Sequence, residues 1–368
     1  EHEKFVFKNK KNLKHSVTHG DPNDYNIVVK NENIIGFIDF GDSIYAPVIN
    51  DLAIALSYAL MRTQNLYKSL QNIVGTYNEL YSLSDYEIYS LLSLIKSRLV
   101  ITLVMAAKQR KKYPDNKYLS ISENNAWHLI SKLHKIDPYF FMAVIRDICN
   151  LEPVSNFNQK LQLFKNQQFS NIFDFELSNV NKKIVNFDRD SFLLKSNPSN
   201  KKLDNIVRKF LNKDIGIGLY KEKRKVYKSN HYISILNPSE RRDVHLGIDI
   251  FVDENTSIKS PLNGKVVILY NNDFKYDYGP TLILEHKIKN YKFYTLYGHL
   301  SKKSLKKLKV GQYIKKGEWI GEIGSYKING NWPPHLHFQI MTSLLNEMNN
   351  FPGVGEEYLL KIWEQISP

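Results

Sequence analysis

At 368 residues, with 42% hydrophobic and 12% aromatic side chains, the chain is too long for one ordinary core and too apolar to be disordered, so two or three domains are expected. Its single cysteine, Cys149, excludes an internal disulfide and a CxxC zinc knuckle, and no run reaches the roughly 18 uninterrupted apolar residues of a membrane-crossing helix, so no membrane span is expected. The net charge of +14 would suit a polyanionic partner, but the basic residues are dispersed, with local clusters at Lys221–Lys228 and Lys302–Lys309, and no nucleic-acid motif accompanies them, so nucleic acid is not an expected partner.

The chain opens at Glu1 in what reads as the interior of a domain, without the charged and apolar regions of a leader. Residues 14–40 read as strand, loop and strand: HSVTHGD, the turn PNDYN, then NIVV and IIGFIDF, with β-branched runs bounded by Asn and Asp. From Asn50 to about residue 150 the pattern turns helical. Ser84-Asp85-Tyr86-Glu87 is a capping box opening a long helix through Lys111, with Pro114 as its stop. Asn124–Lys135 is a further helix before Pro138, and Cys149, within AVIRDICNL, reads as a buried structural thiol.

Residues 151–230 are polar and rich in Asn and Lys, with one helix at Lys201–Asn212, and read as a connecting segment. From Tyr232 to Ile340 short strands (KVVILY, PTLILEH, KFYTLYGH, HLHFQI) alternate with Gly, Pro and Asn turns, as in a sandwich or barrel-like sheet. The tail, Val354–Ile366, reads as helical. The fold class is thus multidomain α+β, with domains at 1–150, 151–230 (the connector), 231–345 and a helical tail at 346–368.

Two constellations carry chemistry. In THGDPNDYN followed by GFIDFGD, Asp21 adjoins a strand, Asn26 lies five residues on and Asp39 ends the next strand. Phosphoryl transfer needs a group that accepts or orients the proton of the attacking hydroxyl, which suits Asp21, and oxygen ligands for magnesium, which suit Asn26 and Asp39. HGDxxxxN…IDFxD followed by NDLAIAL resembles the aminoglycoside phosphotransferase/choline kinase-like family, including its hydroxylysine-kinase-like members, over residues 1–150. The resemblance implies a mainly helical C-terminal kinase lobe using magnesium with ATP or GTP and a small-molecule phosphoryl acceptor. Asp42 and Asp51 are read as loop anchors. No Gly-rich phosphate loop or strand lysine precedes residue 14, so the nucleotide-covering lobe is expected to be missing and ATP binding weak.

The second constellation is His245 and Asp249 in HLGID, His299 in YGHLS, and His335 and His337 in PPHLHF. Side chains alternate along a strand, so His245 and Asp249 can share a face, as can His335 and His337. Two imidazoles and a carboxylate make a zinc set with residual positive charge on the metal. With VGQYIKKGEWIGEIG between them, these motifs resemble the lysostaphin/LytM-type zinc endopeptidase family over residues 225–345. The resemblance implies an antiparallel β-rich domain in which His245, Asp249 and His337 hold zinc, and His299 and His335 form a catalytic pair acting on water and the tetrahedral oxyanion.

The expected function is therefore a fragment of a bifunctional protein that joins a small-molecule phosphotransferase lobe to a metallopeptidase acting on a peptide or murein-like substrate. The order of modules also resembles a bacterial architecture with a fused pyridoxal-phosphate aminotransferase/phospholyase, for which this chain carries no lysine site. The alternative is a β domain that binds a peptide or other ligand without cleaving it, in the service of a metabolite kinase. ATP chemistry points to a cytoplasmic setting; a leader upstream would make it periplasmic or secreted.

Overall fold

The computed structural model describes residues 1–113, 121–188, 190–227, 229–274, 277–346 and 349–368; Pro114, the expected helix stop, and Lys228 of the first basic cluster lie outside them. The chain forms two compact units, Glu1–Pro153 with Ser234–Glu240, and Val154–Ile233 with Arg241–Pro368.

In the first unit a short α1 (His2–Phe5) leads into β1 (His15–Thr18), β2 (Ile27–Lys30), β3 (Asn33–Phe37) and β4 (Ile44–Pro47). The expected strand–loop–strand is two separate antiparallel ladders, β1–β4 enclosing β2–β3. The helices follow: α2 (Ile49–Met61), α3 (Leu66–Leu80), α4 (Asp85–Lys112), α5 (Ile121–His134) and α6 (Pro138–Ile148). Asn65 and Asp137 cap α3 and α6. At α4 the capping box closes, with Ser84 Oγ accepting from Glu87 N and Glu87 Oε2 accepting from Ser84 N. Helical spacing then brings Leu52, Leu56 and Leu60, Leu66, Leu70 and Val74, and Ile88, Leu91, Ile95 and Leu99 into one buried core. By length and composition α4 could cross a membrane. Its inward residues nevertheless pack in this core, as the central helix of a globular unit does. Cys149 is buried, and burial pushes its thiol up to about 11.

In the second unit, α7 (Phe157–Lys165), β5 (Lys182–Ile184), α8 (Asn200–Leu211) and β6 (Ile215–Gly218) precede β7 (Arg242–His245), β8 (Ile248–Phe251), β9 (Ser257–Lys259), β10 (Gly264–Asn272), β11 (Gly279–Ile288) and β12 (Tyr291–Gly298). Then come α9 (Lys302–Lys307), β13 (Tyr313–Ile314), β14 (Trp319–Glu322), β15 (Leu336–Met341), β16 (Val354–Glu356) and α10 (Leu360–Ile366). Eight strands form one sheet in the order β13-β10-β11-β12-β15-β8-β6-β5. It is antiparallel except for the β5–β6 pair, which is parallel, so the sheet is mixed rather than purely antiparallel as expected.

The segment at 151–230 is therefore more than a connector. Its β5 and β6 extend the sheet, and Val185, Phe187, Leu193, Leu203, Val207 and Leu211 build a core with Phe251 of β8. Three residues in β5 and the sequence IGIG in β6 give little strand signal. Gly216 is needed there, since a Cβ would lie 2.6 Å from Val185 and 2.8 Å from Phe251. The tail is only partly helical: β16 pairs with β7, and Trp363 of α10 donates to Glu356 Oε2 at 2.9 Å.

Candidate metal centre

His245 ends β7, and the Leu246-Gly247 turn carries the chain into β8. His245 and Asp249 thus lie on two strands, and the turn, rather than strand alternation, brings His245 Nε2 to 3.2 Å from Asp249 Oδ1. β15 pairs with β8 in the register that sets His337 directly opposite Asp249, and the two side chains meet on one face, Nδ1 to Oδ1 at 3.0 Å. Gly247 makes this possible, because a Cβ there would sit 2.7 Å from His337 Cε1 and Nε2. Among the described residues, His245, Asp249 and His337 are the group whose ligand atoms all lie within 4.8 Å of one another, and all three are buried.

The surrounding hydrogen bonds determine where the protons are. Gln339 Nε2 donates to Pro352 O and Ser367 Oγ, so its Oε1 must face His337 Nε2, at 2.9 Å, and that nitrogen carries the hydrogen. His245 Nδ1 lies 3.0 Å from the carbonyl of Leu219 and therefore donates to it. The two facing nitrogens, His245 Nε2 and His337 Nδ1, are lone pairs 2.9 Å apart with an ionised carboxylate oxygen beside both. Three acceptors, all on buried side chains, converge with no proton between them. A divalent cation is what such an arrangement fits, and imidazole with carboxylate is a zinc-type donor set.

Charge follows the same logic. Burial, then the neighbouring Arg224 cation, pushes the His245 imidazole down to about 4, so it is neutral near neutral pH. Burial works against ionisation of Asp249, but its polar and charged neighbours, among them the permanently charged Arg224 that donates to Oδ2, outweigh it and hold the carboxyl well below its usual range. His299 and His335 are also lowered, by burial first.

These last two histidines flank the cluster. His299 Nδ1 donates to Asn329 O at 2.8 Å and His335 Nδ1 to Pro333 O at 2.6 Å, leaving the Nε2 of each as a lone pair. Their rings lie 4.1 Å apart, and His335 Nε2 is 3.7 Å from Asp249 Oδ1. His299 holds a left-handed backbone, φ 62°, unusual outside glycine. The structure thus gathers all five sequence-expected residues into one buried cluster.

Sequence reasoning missed the residues behind them. Arg224 is 4% exposed and donates from Nη1 to Asp249 Oδ2 at 2.6 Å, while its Nε donates to Glu222 Oε2 at 2.6 Å. It lies in the Lys221–Lys228 cluster, where it reads as surface charge; the Glu-Lys-Arg alternation was the only available signal. Gln339 and the Leu219 carbonyl were equally invisible.

In the first unit, Asp21 Oδ2 accepts from Asn23 at 2.9 Å and Oδ1 pairs with Arg98 Nη2 at 2.5 Å. Asn26 is buried and donates to the backbone carbonyl of Asp21 at 2.9 Å. Asp39 is exposed in a left-handed conformation, φ 65°; among the described residues no hydrogen bond joins it to Asp21 or Asn26. Asp51 accepts from His19 N at 2.8 Å and Gly20 N at 3.0 Å, tying down the loop that presents Asp21.

Residues 243–350 match peptidase family M23, and residues 5–89 match the phosphotransferase enzyme family, so the chain joins an M23 peptidase-like region to a phosphotransferase-like one. The hydroxylysine kinase of Mus musculus is 31% identical over 127 residues, 32% of this chain and 34% of that kinase; the chain spans about a third of the length of this relative. Among solved structures, a zinc-containing peptidase from Vibrio cholerae is 28% identical, covering 33% of this chain and 31% of that one with a TM-score of 0.25. Lysostaphin is 28% identical over 33% of this chain and 44% of its own, with a TM-score of 0.22.

Proposed function

We propose that the second unit is a zinc metalloendopeptidase-type hydrolase acting on a peptide or murein-like substrate, and that the first is a phosphotransferase lobe for a small hydroxyl- or amine-bearing molecule. The observation that carries the hydrolase reading is the convergence of three proton-free acceptors, from His245, Asp249 and His337, beside two further imidazoles with free Nε2 atoms.

His245, Asp249 and His337 would hold the metal. Zinc bound there would acidify a water molecule and polarise a peptide carbonyl. The rest falls to the side chains. His299 and His335 have their Nδ1 protons committed to carbonyls, so each can accept a proton at Nε2. Because burial keeps both neutral, one can serve as general base toward the attacking water. Once protonated, that imidazole has a proton to give to the departing amine, while the other, with its lone pair at Nε2, can accept a hydrogen bond from the attacking water and orient it.

In the first unit Asp21 would accept the hydroxyl proton of the acceptor, and Asn26 and Asp39 would supply oxygen ligands to magnesium with ATP or GTP. Arg98, paired with Asp21, keeps that carboxylate oriented.

The test is incubation of the full chain with peptidoglycan and with glycine-rich peptides, with and without a chelator, followed by mass spectrometry. New amine termini that vanish with the chelator support hydrolysis. Tight peptide binding with every bond intact would leave a binding module instead.

A further inference from the structure

The two oxygens of Asp249 have different partners. Oδ1 faces His245 Nε2 at 3.2 Å and His337 Nδ1 at 3.0 Å, whereas Oδ2 accepts from Arg224 Nη1 at 2.6 Å. Arg224 is itself held from behind. Its Nε donates to Glu222 Oε2 at 2.6 Å, Glu222 Oε1 accepts from the backbone N of Phe187 at 2.5 Å, and the guanidinium lies 5.6 Å from the centre of the Phe187 ring. Gly218 stands opposite Asp249 in the β6–β8 ladder, where a Cβ would come within 2.7 Å of Arg224 Nη2 and 3.1 Å of Asp249 Cβ. Phe187, Gly218, Glu222 and Arg224 all precede the stretch at 243–350 that matches the peptidase family.

We propose that Arg224 is a positioning residue that occupies Oδ2 of Asp249 and so reserves a single oxygen, Oδ1, for the metal. The proposal rests on the reading of His245, Asp249 and His337 as metal ligands. A carboxylate free at both oxygens can chelate a divalent cation through both, and the second oxygen then fills a position that a hydrolytic site must keep open for water and substrate. The guanidinium, with five donors in a rigid fork, engages Oδ2 and Glu222 together, which an ammonium cannot do in one geometry. Glu222 balances the Arg224 charge, so the cation next to the metal ligand adds little net repulsion toward a metal.

Cobalt(II) in place of zinc reads this directly, because its visible d–d absorption depends on coordination number. The full chain, Arg224→Met, Arg224→Lys and Glu222→Gln are each loaded with cobalt(II), with circular dichroism recorded on the metal-free proteins to verify folding. The parent is expected to show intense four-coordinate absorption. In Arg224→Met the intensity should fall roughly threefold as the second oxygen engages, with geometry as the diagnostic. Arg224→Lys should recover part of it, and Glu222→Gln should shift the same way by less. Should Arg224→Met fail to fold, Arg224→Lys and Glu222→Gln decide the matter, and parent-like spectra in both would overturn the proposal. Identical spectra for the parent and a folded Arg224→Met sink this proposal alone. A parent chain that takes up no cobalt removes the metal reading and the proposal together.

Discussion

Asp249 and His337 stand directly opposite one another across the β8–β15 ladder, with Oδ1 of one 3.0 Å from Nδ1 of the other. Neither atom has a proton to share with the other, because Gln339 holds the His337 hydrogen on Nε2. Ladder register and outer hydrogen bonds together turn two acceptor atoms toward one another, the arrangement that a metal ligand pair would need.

The division of labour among the histidines can be separated. Alanine at His299 or His335 should leave zinc content unchanged while lowering peptide hydrolysis by about 10²–10⁴-fold, the usual contribution of an acid–base group. Zinc analysis beside a cleavage assay checks this. Loss of metal in either variant would make that residue a ligand instead.

Gly247 should tolerate no side chain. In Gly247→Ala the methyl would meet His337 Cε1 and Nε2 at 2.7 Å and Phe338 O at 2.8 Å, so His337 must move. The expected cost is about 1–3 kcal/mol of stability, as for overpacking, together with weakened zinc binding. Thermal unfolding and zinc titration of the variant test both; parent-like values in each would show that the strand gives way freely.

The metal-free chain should lose stability as acid is added. The His245 imidazole sits at about 4 in the fold against an ordinary 6.5, so between these values the unfolded chain binds more protons than the folded one. Stability is therefore complete above pH 6.5 and declines toward pH 4, by about 3 kcal/mol for this residue. Denaturant unfolding across that range should show the slope, and His245→Gln should make it shallower. An unchanged slope in that variant would place the effect elsewhere.

Asp51 anchors the loop bearing Asp21 through the N–H groups of His19 and Gly20. Asp51→Ala should cost the first unit about 2 kcal/mol, since two backbone donors lose a charged partner. Chemical denaturation of the full chain followed through this unit's helices would detect it; a loss below a few tenths of a kcal/mol would mean water replaces the carboxylate.

The five residues of the cluster were legible because His and Asp, the residue types that metal binding and acid–base chemistry use, stand there in three short motifs. Their convergence was only half legible. Parity placed His335 and His337 together, but His245 reaches Asp249 across a turn, and the β8–β15 register depends on pairing between residues 88 apart in the chain. Arg224 was illegible because its role is conferred by β6, β8 and Glu222, and in isolation it is one more cation in a basic run. The long helix of the first unit announced itself by its capping box, whereas β5 and β6 did not, since three residues and a Gly-rich tetrapeptide gain their strand character from the sheet they join. In the phosphotransferase-like region the motif residues were equally easy to pick out, yet Asp39 lies exposed, and among the described residues no hydrogen bond joins it to Asp21 or Asn26.

The metal reading is tested most directly by calorimetric titration of zinc into the metal-free full chain and into His337→Ala. The account expects one zinc per parent chain and loss of that binding in the variant; no uptake by the parent, or undiminished uptake by His337→Ala, would contradict it.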